Sequence, residues 1–267
     1  MHEVGAVNIE RFDCLACDRL SPKRHSLNVG VVNIDWSCYG DGMRSRTKSA
    51  ASRKYHHGDL RQALIDAGVA IVTEEQNWNF SLREVARRAG VSHNAPYNHF
   101  AEKRDLLDAV AAVGFDTLRV DMSKAMKGAS DAGVAILAIA RAYVAFAANN
   151  PALYRLMFGP ELAGPDGVRP ELAETSGAGA KAVLRDVVVR GAEEGLFTVS
   201  TDDERSITMA VLSAWSAVHG LSMLIVDKKS DASARPEILV EGVLTHFLEG
   251  LRRRQPITDG TRRRANR

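Results

Sequence analysis

Between Ser81 and Ser92 the sequence ends one short helix and prepares a second, which narrows the possible folds more than any other stretch. Ser81-Leu-Arg-Glu84 is a capping box: the serine hydroxyl accepts from the Glu84 amide while the Glu84 carboxylate reaches back to the Ser81 amide. Leu82, Val85, Ala86 and Ala89 follow at a spacing that gives a helix of about two turns a buried face. Gly90 suits the left-handed position that ends it, and Ser92 stands where the next helix needs a cap. That next segment, His93 to Phe100, is short and polar. Two short helices joined by a tight glycine-containing turn make a helix-turn-helix.

Helical spacing continues on both sides. Leu60, Ala63, Leu64, Ala67, Ala70 and Ile71 form an apolar stripe over a helix at 58–74, with Trp78 and Phe80 available to plug a small core. Lys103 opens a longer helix reaching about Met126. Ala135 to Ala148 is apolar nearly all round and belongs inside a bundle. Pro151 starts a short helix, and the proline- and glycine-rich stretch 159–170 reads as a loop. Further helices read at 170–195, 203–227 and 235–252. Plentiful alanine and leucine agree with an all-α chain. The expected architecture is an N-terminal three-helix helix-turn-helix domain at 55–102, then a helical bundle at 103–252.

The ends differ from this body. Residues 1–42 keep no sustained period, and Met43 precedes a basic run, so 1–54 reads as a disordered extension whose biological start is Met43. Residues 253–267 read as a disordered basic tail. Net charge is only +2, so its distribution matters more: Arg44, Arg46, Lys48, Arg53, Lys54 and Arg61 face Asp59 alone. That run is a solvated tail or an arm that meets phosphate. All three cysteines, Cys14, Cys17 and Cys38, precede the helical body, which therefore holds no disulfide framework. With His25 they offer a possible zinc set, but zinc modules usually show two well-spaced ligand pairs. No secretory signal is visible and no stretch reads as long and apolar enough for a bilayer, so the expectation is a cytoplasmic protein without a membrane partner.

Three segments together carry a resemblance. Tyr55-His-His-Gly-Asp-Leu60, Ser81-Leu-Arg-Glu-Val-Ala-Arg-Arg-Ala-Gly-Val-Ser92 and Ala95-Pro-Tyr-Asn-His-Phe-Ala-Glu-Lys103 resemble the DNA-binding domain of TetR-type regulators. Downstream, Tyr143-Val-Ala-Phe-Ala147, Asn150-Pro-Ala-Leu-Tyr154 and Trp215-Ser-Ala-Val-His-Gly220 resemble the C-terminal domain of the subgroup with a Trp-His-Gly signature. The resemblance implies a sequence-specific regulator, most often a ligand-responsive repressor, bound to a palindromic operator as a homodimer. It makes His93, Asn94 and Ala95 the base readers. It places Tyr97, His99 and Lys103 on phosphates, lets Arg83 reach base or phosphate, and includes Ser92, Tyr55 and His57 in the DNA-binding set.

Side-chain chemistry supports the assignment independently. A recognition helix needs short polar groups at its N-terminal end, where they meet base edges. His93 and Asn94 donate and accept there, and Ala95 suits a thymine methyl. Tyr97 has a second reading, its ring bracing the core, and His99 is as readily structural as DNA-facing. Arg87 and Arg88 read as a solvated face. Pro96 stands where many relatives have leucine, which removes one backbone donor and leaves the helix start open.

In the C-terminal part the resemblance implies dimerisation through 203–227 and 235–252 and a small-molecule effector enclosed by 127–200. Tyr143, Phe146, Tyr154, Met157 and Phe158 are candidates to line that cavity, although core packing explains the same stripe. Trp215 and His219 lie four apart on one helical face, suited to core or interface packing first and ligand contact second. Gly220 is expected to allow close helix approach. No phosphate loop, metal-spaced histidine pair or nucleophile motif occurs in 55–251, so neither enzyme nor cofactor is implied. An α-helical enzyme and a sequence-nonspecific DNA-binding protein remain as alternatives; polar readers at 93 and 94 argue against the latter.

Overall fold

The computed structural model describes residues 57–163, 167–230 and 236–251. The extension 1–54 with its basic arm and cysteines, Tyr55, and the tail 253–267 lie outside the described residues. The architecture is all-α, as expected. Its helices are α1 (His57–Glu75), α2 (Leu82–Arg88), α3 (Lys103–Ala125), α4 (Ala132–Asn149), α5 (Pro151–Phe158), α6 (Glu171–Glu193), α7 (Glu204–Val226) and α8 (Pro236–Leu251). Short 3₁₀ turns lie at Ala95–Asn98 and Pro160–Leu162, the second inside the stretch expected to be loop.

The buried face of α1 is wider than the stripe read from its sequence. Leu64, Ala67 and Ile71 are buried, and so are Ile65, Val69 and Val72. Gly68 explains the close fit: a Cβ there would stand 2.9 Å from Val110 Cγ2, so its absence lets α1 and α3 approach closely. Phe80 and Phe100 close this small core, with Trp78 packed against it. Each fully buried side chain of this size contributes roughly 1.5–3 kcal/mol.

Farther along, α3 buries Phe115, Leu118 and Met122 among the later helices. Small residues of α6 lie against it: a Cβ on Gly177 would stand 3.5 Å from the Phe115 ring, and one on Gly179 3.4 Å from Arg119 Cδ, both ordinary contacts. α3 therefore serves both the core with α1 and the bundle behind it. Helix starts in the bundle borrow side chains from distant elements. Asp108 of α3, 6% exposed, accepts from the Ala173 amide in the first turn of α6 at 2.8 Å. Glu194 accepts from the Ala132 amide at the start of α4, also at 2.8 Å. Arginines satisfy chain carbonyls elsewhere: Arg104 donates to Leu162 O at 2.9 Å, and Arg155 to Val226 O at 2.6 Å. Arg155 also donates to Asp227, which holds that carboxyl below its ordinary pKa.

Two helices revise the bilayer expectation. α4 and α7 are each long and apolar enough to cross a membrane, with mean hydropathy of 1.6 and 1.7 over the most apolar window. Half of the α4 window is buried in the bundle, as befits a core helix. On α7 only 39% is buried, and Met209, Leu212 and Leu224 stand exposed on it.

Candidate nucleic-acid interface and ligand cavity

The N-terminus of α2 forms as the sequence dictates, with Ser81 Oγ accepting from the Glu84 amide at 3.2 Å. The reciprocal half of the box is replaced: the Glu84 carboxylate lies 3.6 Å from Arg87 in an ion pair. Gly90 takes φ +69°, turning the chain sharply toward the next element. Arg88 is no solvated bystander, since its guanidinium pairs with Glu74 and ties α2 back to α1.

The expected recognition helix is a single 3₁₀ turn. Ser92 does not cap it through its hydroxyl; its carbonyl accepts from the Ala95 amide at 2.9 Å, and Asn94 is the residue before the turn. Pro96 lies within it. It stands in the first turn, where its missing N–H removes only the i→i−4 bond back to Ser92. Pro96 is buried and Phe100 is 2% exposed, so these two residues anchor the turn while its other side faces outward. Arg83, Ser92, His93 and Asn94 are exposed, Ala95 and His99 are half-buried, and Tyr97 is 50% exposed. The bracing role considered for the Tyr97 ring does not fit that exposure. Lys103 is more engaged than expected: its Nζ stands 5.1 Å from the centre of the Phe80 ring, and partial burial lowers its pKa. His57 begins α1 and its side chain lies outside the description.

In the bundle, four residues singled out from the sequence form one polar cluster. The Tyr154 hydroxyl lies 2.7 Å from His219 Nδ1 and 3.1 Å from the Tyr143 hydroxyl. Trp215 Nε1 donates to the Tyr143 hydroxyl at 3.2 Å, and that hydroxyl is 3.2 Å from His219 Nδ1. Phe158 packs on the His219 ring, with centroids 4.6 Å apart. Burial shapes the chemistry. It pushes the Tyr143 phenol up to about 12, raises the Tyr154 phenol, and lowers His219 below the ordinary imidazole value. A neutral imidazole accepting at Nδ1 suits both the burial and the contacts.

Beside this cluster is an apolar cavity of about 60 Å³. Tyr143, Phe158 and Trp215 line it, together with Phe115, Leu118 and Met122 of α3, Ile136, Ile139 and Ala140 of α4, Gly177, Ala180, Lys181 and Leu184 of α6, and residues of α7 and α8. The enclosure is therefore wider than 127–200. Phe146 and Met157 are buried but do not line it; Met157 packs over Gly114 of α3. Tyr154 and His219 do not line it but stand behind its wall, bonded to Tyr143 and packed on Phe158.

Comparison with known proteins now bears on these two sites. Residues 64–110 match the family described as bacterial regulatory proteins, tetR family, and residues 136–247 match the tetracyclin repressor-like C-terminal domain. The two matches fall on the helix-turn-helix and on the bundle with its cavity. The chain belongs to the tetR family. An uncharacterised HTH-type transcriptional regulator of Haemophilus influenzae is 34% identical over 110 residues, covering 40% of this chain and 53% of that protein. The chain thus spans about half the length of that relative. A solved protein of unknown function from Rhodococcus sp. RHA1 is 29% identical with a TM-score of 0.64, covering 75% of this chain and all of the other. A tetR-family regulatory protein from Rhodococcus RHA1, 20% identical with a TM-score of 0.54, shares the fold over 73% of this chain and 98% of its own.

Within this tetR-family chain, sequence reading missed most of the cavity wall. The signal was present in α3, where Phe115, Leu118 and Met122 recur at helical spacing, and in the small residues of α6. Neither feature says which neighbour it will face. Lys181 was missed because an exposed helical lysine usually reads as a solvated surface residue.

Proposed function

We propose that this protein is a sequence-specific DNA-binding transcriptional regulator, acting as a ligand-responsive repressor on a palindromic operator. The observation carrying this reading is the turn anchored by buried Pro96 and Phe100, which leaves His93, Asn94 and Tyr97 exposed, as Arg83 of α2 is. Asn94 offers the paired donor and acceptor that recognise adenine, His93 a second polar contact, and Tyr97 a hydroxyl for phosphate. Ala95, His99, Lys103, Ser92, Tyr55 and His57 complete the proposed contact set. The family is one of regulatory proteins, which favours this role over catalysis. A bacterial regulator of this kind works in the cytoplasm, where its DNA is.

A module this small binds weakly alone, so a homodimer is proposed, placing two such turns on half-sites about one helical turn of DNA or slightly more apart. Support comes from α7 and α8, where Met209, Leu212, Leu224, Ile238 and Val243 stand exposed. The close helix approach expected at Gly220 is not made among the described residues, since none of their atoms lies within 4 Å of where its Cβ would be. The cavity is proposed to hold a small-molecule effector whose binding favours a conformation that mismatches the operator spacing. Such a switch requires unequal affinity for the two conformations. The Trp-His-Gly subgroup is proposed from Trp215 and His219 meeting in one cluster.

Fluorescence anisotropy against the DNA upstream of the protein's own gene, beside a scrambled duplex, tests the reading. Preference for the upstream duplex that survives rising salt is expected, and Asn94→Ala should reduce it by about 1–3 kcal/mol. Equal, steeply salt-sensitive binding to both duplexes would mean phosphate attraction alone and would favour the nonspecific DNA-binding reading.

A further inference from the structure

The cavity's polar atoms are nearly all committed to one another. Tyr143 and Trp215 bond together at 3.2 Å, and Tyr143 also meets Tyr154 and His219. The remaining wall is aliphatic or aromatic, with one exception. Lys181, on α6, lines the cavity and holds Nζ 4.9 Å from the centre of the Trp215 ring. It has no ion pair among the described residues, and it is exposed, so it stands at the mouth rather than in the interior.

The wall selects by what it leaves unmatched. An occupant that carries a hydroxyl or amide inward loses water and finds partners already engaged, a cost that apolar groups avoid. A cation at the mouth meets Lys181 as a like charge. An anion there finds the lysine without an ion pair among the described residues and forms a charge-assisted bond with it. Size narrows the choice. At about 60 Å³ the cavity is well below the roughly 150 Å³ that takes a benzene ring, so only a short chain fits inside. A short alkyl chain inside, with a carboxylate at the mouth, fits that limit.

We propose that the effector is a short-chain aliphatic monocarboxylate, its chain in the cavity and its carboxylate on Lys181 Nζ. This rests on the reading of the cavity as the effector site. The aliphatic part is held by burial against Leu118, Ile136, Ile139 and Leu184, and the charge sets the choice among chains of equal length.

The test is an NMR titration of the full chain at neutral pH with hexanoate, hexan-1-ol and hexylammonium. Hexanoate is expected to bind about fivefold or more tightly than hexan-1-ol, with hexylammonium weakest. Added salt should weaken hexanoate alone. Lys181→Gln should abolish the preference for hexanoate while leaving hexan-1-ol unchanged, and Lys181→Arg should retain it. Being exposed, this lysine can be replaced without disturbing the core. Hexan-1-ol binding as tightly as hexanoate, or a Lys181→Gln protein that keeps the preference, overturns the carboxylate while leaving an effector cavity in place. Failure of all three probes overturns the carboxylate and counts against the cavity as effector site, whereas operator recognition is judged separately by its own titration.

Discussion

Tyr154 is wholly buried, and its hydroxyl is satisfied only by other side chains. Tyr154→Phe leaves the ring packing on Phe158 and removes the bond to His219, so a loss of about 1–2 kcal/mol is expected in urea denaturation. His219 adds a pH dependence whose sign follows from burial. Its folded pKa lies below the ordinary 6.5, so the unfolded chain binds more protons in the interval between the two values. Stability should fall as pH drops below about 6.5 and level off, for this group, below the folded value. His219→Gln should flatten that part of the denaturation profile; an unchanged slope would show that other groups set it. Trp215 and His219 could be placed on one helical face from their spacing. Their meeting with Tyr143 and Tyr154 could not, because those tyrosines lie on other helices, far away in the chain.

Among the elements, α6 has the most distant support for its first turn. Pro170 precedes the helix and makes no side-chain cap, and the missing acceptor comes from Asp108 on α3. Asp108→Ala should cost about 1–2 kcal/mol, and Asp108→Asn, which keeps an oxygen in place, clearly less. Thermal unfolding of the two variants side by side checks this; equal losses would mean that carboxylate charge, rather than an acceptor, matters. On α1, Gly68→Val should destabilise the packing against α3 by about 1–3 kcal/mol, because its added carbons have no room beside Val110. Helix boundaries were largely legible because caps, glycines and prolines act locally. The recognition segment is the exception: one 3₁₀ turn stands where a helix is expected.

At the scale of the molecule, exposed apolar side chains on α7 and α8 make a prediction about assembly. A species of twice the 29.0 kDa chain mass is expected by light scattering. Leu212→Glu together with Leu224→Glu should shift it toward monomer, since charges on an apolar interface must be desolvated to pair. Operator affinity should drop in parallel, as half-sites would be bound singly. A double variant that remains dimeric would place the interface on another face.

The sequence by itself determined the all-α body, the order of its helices, the Gly90 turn and the polar residues beside it. Those follow from interactions within a few residues: capping, hydrophobic period, and the left-handed conformation open to glycine. Only the tertiary structure decided which side chains from α3, α4, α6, α7 and α8 surround one cavity, that Asp108 caps a distant helix, and that Lys181 stands at the Trp215 ring. Such pairings depend on how helices dock, and a helical stripe shows that a face is buried without naming its partner.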